Sequence, residues 1–141
     1  MNSPDIIGLV EVMANDATNS KNPEAAESYK RLINEIVKVG GPKYEFVNID
    51  PEFNADGGAP GGNIRVGYLY NPERVDFVKA EHGGSKNAGG YVDNKLTLNP
   101  GRVSPSEFNN TRKPLAAQFE FNGESVIVIN NHLNSKQGDD P

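Results

Sequence analysis

The chain has 141 residues, 14 Lys and Arg against 19 Asp and Glu, a formal charge of −5 and no cysteine. That length holds one domain at most, and 35% apolar residues with 15 glycines supply a packed core, which excludes wholesale disorder. The missing thiols exclude disulfides and Cys-ligated metals, the acidic balance argues against broad electrostatic binding of nucleic acid, and no apolar run approaches the roughly 18 residues a membrane helix needs.

The run from Asp5 to Val12 is continuous and β-branched, which predicts a strand buried on both faces, with Glu11 as its one interior charge. No basic-then-apolar leader precedes it, so no signal peptide is expected. After a polar stretch from Asn15 to Asn22, Pro23 opens a pattern in which Ala26, Tyr29, Ile33, Ile36 and Val37 share one stripe, and Gly40-Gly41-Pro42 ends it. The spacing predicts a helix over 23–39. Tyr44 to Ile49 reads as a short strand, and strand, helix, strand at this spacing is a crossover unit, which points to an α/β fold.

From Asp50 to Gly62 the residues turn to Pro, Gly, Asn and Asp, the mark of a long exposed loop. Ile64 to Tyr70 has β propensity, Asn71-Pro72-Glu73 makes a turn, and Val75 to Ala80 reads as the returning arm of a hairpin. A Gly-rich, weakly patterned region fills 82–105. Leu115 to Phe121 alternates, Asn122-Gly123 signals a two-residue hairpin, and Ser125 to Asn131 is apolar and β-branched. The chain then passes His132 into a charged tail, with no internal repeat and no dividing linker.

Two residues stand out chemically. A carboxylate such as Glu11 in a buried strand must be paired or must coordinate a cation, because burying it bare costs several kcal/mol. Both readings stay open on spacing alone. His132 ends an apolar strand beside Asn130, Asn131 and Asn134, where an imidazole is either a satisfied structural group or a working one. Three weaker motifs fall away or stay undecided. Glu52 to Gly57 imitates the start of a calcium loop, but Asn63 stands where a bidentate Glu is needed and Pro60 interrupts it. Gly57 to Gly62 lacks the Gly-Lys-Ser/Thr ending of a phosphate loop. Asn109-Asn110-Thr111 is a glycosylation sequon by pattern only.

Three ordered segments carry a resemblance. Pro4-Asp-Ile-Ile-Gly-Leu-Val-Glu11-Val resembles the "PDIIxLQEV" motif of the endonuclease/exonuclease/phosphatase superfamily, the deoxyribonuclease I-like metal-dependent phosphoesterases. Gly61-Gly-Asn-Ile-Arg65-Val-Gly-Tyr-Leu-Tyr-Asn-Pro72 is similar to its "GNIRVGFLYNPxRV" strand, and Arg112-Lys-Pro-Leu115 through Asn131-His132-Leu-Asn-Ser-Lys136 to "RxPLxxxF…NHxxSK". The "DGGxPGG" loop and an "SKGGDDP" continuation make the likeness greatest to large secreted bacterial members. Val10 in place of Gln, and Gln137 in place of Gly, are departures.

The resemblance implies half of a two-sheet α/β sandwich, a mixed sheet with one long helix. It also implies a parent that hydrolyses phosphodiester or phosphomonoester bonds, an extracellular nuclease or phosphatase acting on nucleic acid or another phosphoester. It gives Glu11 the role of ligand to a divalent cation, Mg²⁺ first with Mn²⁺ or Ca²⁺ as alternatives, and His132 that of a catalytic group beside the scissile phosphate. Arg65, Arg112 and Asn131 become phosphate-binding candidates, although either arginine can equally pair with a surplus carboxylate. The family's "GDxN" and "SDH" motifs are absent, so residues 1–141 resemble a partial domain of a fold of about 250 residues or more, lacking its first strand and second half. From this follow an inactive isolated chain, an uncovered sheet face that pairs copies into a homodimer, drives an exchange of elements or stays exposed, and Glu11 facing the cleft of His132 within roughly 10 Å. The competing reading is a non-catalytic interaction or structural module whose Gly-rich loops present a surface.

Overall fold

The computed structural model describes residues 2–17 and 21–134. Among them the order is β1 (Ile6–Val12), α1 (Ala26–Lys38), β2 (Glu45–Val47), β3 (Arg65–Tyr70), β4 (Asp76–Phe77), β5 (Tyr91–Val92), β6 (Lys95–Leu96), β7 (Gly101–Arg102), β8 (Leu115–Phe121) and β9 (Glu124–Asn130). The class is mixed α/β, with antiparallel ladders and one α-helix. No helix among the described residues is long and apolar enough to cross a membrane.

The helix forms where its apolar stripe predicts, and its ends have separate causes. Ala25 offers no side-chain cap, so Asn15 Oδ1 accepts the orphan amides of Glu27 (2.8 Å) and Ser28 (3.1 Å) from outside the helix. At the other end Gly40, at φ +85°, sends its amide to Val37 O while Gly41 reaches Ile36 O, the paired bonds of a Schellman stop. Tyr29 and Ile33 bury against Tyr44 and Leu69; Val37, on the rim of the stripe, is exposed.

The first sheet runs β1-β3-β2, with β1 and β2 each antiparallel to β3 and therefore parallel to one another. The crossover is real, but β3 is inserted between its strands. Among the described residues the mixed sheet expected is thus antiparallel in every ladder, and parallel pairing occurs only in the isolated bridges Glu81↔Leu98 and Ala88↔Arg102. The doubly buried strand is β3, not β1. Val66, Tyr68 and Tyr70 point into the core between sheets, and Leu69 points toward the helix. Gly67 lies under Tyr29, whose hydroxyl would stand 2.0 Å from any Cβ there. β1 is an edge, and Val10 is 51% exposed.

The second sheet centres on β8, with β9 along one side and β4 and β7 end to end along the other. The gap between β4 and β7 is closed by a side chain. Asn99 Oδ1 accepts the Gln118 amide at 2.9 Å and Asn99 Nδ2 donates to Gln118 O (2.9 Å) and Val78 O, so the amide occupies the place of a strand residue. The hairpin expected from β3 into 75–80 does not form. Val75 and Phe77 instead cross to the second sheet, where Phe77 packs on Phe119 (5.6 Å between centroids) and Tyr70 (5.8 Å). β5 and β6, unpredicted, form a small hairpin held to the sheet by Leu96 N donating to Gln118 Oε1 and Gln118 Nε2 to Asn94 O. The β8–β9 turn is as predicted: Phe121 pairs with Glu124, and Asn122 and Gly123 are both left-handed.

The long loop over 50–62 is tied down from within. Asp56, fully buried, receives Arg102 Nη2 at 2.8 Å and lies 3.2 Å from Lys113 Nζ. Asn54 Oδ1 accepts the Gly61 amide, Asn63 Oδ1 accepts the Asn54 amide and Glu52 pairs with Lys86, so the calcium-like oxygens are spent on protein partners.

Candidate functional site

Between Leu9, paired with Gly67, and Val12, paired with Arg65, β1 carries one residue more than β3. This is a β-bulge, and Glu11 sits in it at φ +57°. A left-handed backbone at a non-glycine residue costs about 1–2 kcal/mol and is held only where surrounding structure imposes it. The bulge re-aims the side chain: Glu11 is 69% exposed, and its Oε1 lies 3.6 Å from His132 Nε2. The carboxylate is therefore not buried in a strand as the sequence predicts.

His132 lies two residues past the end of β9, and Asn130 fixes where β9 ends, donating to Leu9 O (2.8 Å) and Gly67 O (3.0 Å) of the first sheet. The ring is 19% exposed. Its Nδ1 is buried without a hydrogen-bond partner among the described residues, as is Arg112 Nε. Arg112 reaches the same segment, since its Nη2 donates to Asn134 Oδ1 at 2.8 Å. It is seated against Gly57, where a Cβ would stand 3.4 Å from Nη1 and 2.2 Å from Asn110 O. Residues 132–134 thus touch Glu11 at one end and Arg112 at the other.

The structure brings Glu11 and His132 together, ties Arg112 to Asn134 two residues further on, and leaves Arg65 out. An odd-numbered residue of β3, Arg65 faces the helix side, 2% exposed, where Nη1 pairs with Asp50 and Nε and Nη2 donate to Asn63 O, with Pro23 O as a further acceptor. Burial pushes its guanidinium below the ordinary range, which Asp50 opposes. It is a structural ion, not a phosphate ligand. Asn131 is exposed beside His132. Ser135, Lys136 and Gln137, the end of the third motif, lie outside the described residues. The bulge had no signal in the sequence, because Glu has no preference for left-handed backbone.

The 3.6 Å separation meets the expected proximity of the two groups, and it is a distance at which both atoms could also contact one cation lying off the line between them. A ligand meets both from the solvent side of Glu11. No group of three His, Cys, Asp or Glu that would hold a metal by itself occurs among the described residues. One hard, exposed carboxylate is a ligand of the kind a cation such as Mg²⁺ takes, since that ion keeps several waters and uses one or two protein carboxylates.

No protein-family model, curated protein or solved structure matches the chain.

Proposed function

We propose that Glu11, His132 and Arg112 form part of the phosphoester site of a metal-dependent hydrolase, an extracellular nuclease or phosphatase of the superfamily the motifs resemble. The observation that supports it best is the 3.6 Å approach of Glu11 to His132 across two sheets, beside two buried nitrogens that lack partners. A buried donor left unpaired costs about 1–3 kcal/mol, a cost that an anionic ligand relieves. Glu11 would hold the divalent cation, which supplies Lewis-acid polarisation of a phosphoryl oxygen. Arg112 and His132 would supply donors to non-bridging oxygens, where negative charge grows during displacement, once a ligand gains access to Arg112 Nε and His132 Nδ1, which are shut off from solvent here. Asn131, exposed next to the ring, completes the donor set on the solvent side.

Ring resonances of His-labelled chain test this with Mg²⁺ and dimethyl phosphate, a minimal phosphodiester. Binding at this site shifts the His132 resonances only when both are present, and leaves those of His82 in place. Glu11→Gln abolishes the Mg²⁺ dependence and Arg112→Ala weakens phosphate binding. Unchanged His132 resonances at millimolar concentrations of both would overturn the assignment.

A further inference from the structure

We infer that the cavity enclosed by the 50–62 loop, residues 85–86 and the 102–113 segment binds a small organic oxyanion, a phosphate or carboxylate group carried on a hydroxylated body. It is separate from the phosphoester site, since neither Glu11, His132 nor Arg112 lines it.

The cavity holds about 450 Å³, and every residue lining it lies between Glu52 and Lys113. Its floor carries a charge imbalance. Asp56, Arg102 and Lys113 are buried together, with side chains 2%, 4% and 9% exposed, so one carboxylate faces two cations. Phe108 O (2.6 Å), Thr111 O (2.9 Å) and Asp56 Oδ1 (3.2 Å) surround Lys113 Nζ, engaging all the hydrogens of an ammonium. The nearby Arg65–Asp50 pair is neutral as a unit and leaves the excess in place. A buried charge without a counter-charge is unfavourable, and an anion in the cavity supplies what is missing.

The wall selects the kind of anion. Arg102 makes three hydrogen bonds, to both Asp56 oxygens and to Ser85 O, and a guanidinium has N–H groups beyond these. Ser85, Asn109 and Asn110 line the cavity with side chains that make no hydrogen bond among the described residues. At the mouth Lys86 adds a cation that its exposed partner Glu52, 3.0 Å away, cancels. The lining therefore sums to +1, three cations against two carboxylates, in a chain of −5. That excess matches one oxyanion. The volume lies in the range of roughly 300–1,000 Å³ typical of organic ligand sites, more than a bare oxyanion fills, and the free hydroxyl and amide groups suit hydroxyls on the rest of the ligand.

Amide NMR titrations without divalent metal test the site, using glycerol 3-phosphate, glycerate and inorganic phosphate against sodium chloride at equal ionic strength. Saturable shifts of Ser85, Lys86 and Asn110 are expected at millimolar organic probe, the tighter of the two identifying the oxyanion, with inorganic phosphate binding more weakly than that probe. Ser106→Glu, at an exposed position on the cavity wall, should keep the fold and weaken binding about tenfold by cancelling the excess charge. Lys113→Met should abolish binding; if it fails to fold, Ser106→Glu decides. No saturable shift, shifts reproduced by chloride, shifts confined to the surroundings of His132, unchanged affinity in Ser106→Glu, or inorganic phosphate binding as tightly as the better organic probe would each overturn the proposal.

Discussion

Asn130 and Leu9 are joined across the two sheets by a 2.8 Å hydrogen bond from amide to carbonyl, and each lies two residues before one member of the Glu11–His132 pair. The second amide hydrogen goes to Gly67 O, so one side chain locks β1 and β3 of the first sheet to the end of β9. Gly8 leaves room for it, since a Cβ there would approach Asn130 Nδ2 to 3.3 Å. Asn130 is therefore the positioning residue of the site.

Asn130→Asp removes both donors and turns a carboxylate toward two carbonyl oxygens. A loss of about 2–3 kcal/mol is expected in urea unfolding, because two acceptors are left unmet at once. His132 should also lose its fixed relation to Glu11, read as averaging of its ring resonances. A variant as stable as the parent would show that the staple contributes nothing.

Glu11→Gly should be more stable than Glu11→Ala by about 1 kcal/mol. Glycine adopts φ near +57° without a Cβ penalty, while alanine keeps the strain and loses the carboxylate as well. Equal unfolding midpoints would mean that the bulge relaxes when the glutamate is removed.

Alkaline stability should be limited by three phenols. Burial is the largest cause raising Tyr29, Tyr68 and Tyr70 above 10.0, and for Tyr70 the hydrogen bond and charge of Glu45 add to it. The folded state then holds protons that the unfolded chain releases, so stability is complete below pH 10.0 and falls as pH rises above it. Each phenol contributes at most about 1.4 kcal/mol per pH unit. Tyr68→Phe should flatten the decline in urea midpoint between about pH 9 and pH 11.5; an unaltered slope would remove Tyr68 from the set.

Incubated with Mg²⁺, Mn²⁺ or Ca²⁺, the 141-residue chain should show no more than trace phosphodiesterase activity. Of its two histidines, His132 is engaged as described, and both ring nitrogens of His82 lie against carbonyls, Gly83 O at 2.9 Å and Asn48 O at 3.0 Å. No second imidazole serves as general base, and groups that act as a unit lose most of their rate when one is missing. Chelator-sensitive turnover by purified chain would refute this.

Wherever periodicity met a single packing surface, the fold was legible: the α1 stripe, the Asn122-Gly123 hairpin and the crossover all formed. Failures came where tertiary partners decide. A β-branched run reads alike at a sheet centre and at an edge, so β1 was given the burial that belongs to β3. Val75–Phe77 has strand character, but its partner was chosen by the Phe119 cluster and not by the nearest turn. In the site, residue types and strand ends were readable for Glu11, His132 and Arg112. The backbone kink that aims Glu11 was not, and of the two readings left open for Arg65 the structure shows the pairing with a carboxylate, Asp50, because strand register turns it inward.

Asn99 lets the second sheet dispense with chain continuity along one margin. Since a side-chain amide substitutes for the missing peptide unit opposite Gln118, residues between Val78 and Asn99 make no backbone pairing with β8 and are tied to it through the Gln118 side chain. Added length in such a loop costs little closure entropy, roughly 0.6 kcal/mol per doubling. The segment that carries β5 and β6 is thus where this architecture accommodates insertion, and relatives with the same fold would be expected to diverge in size there first.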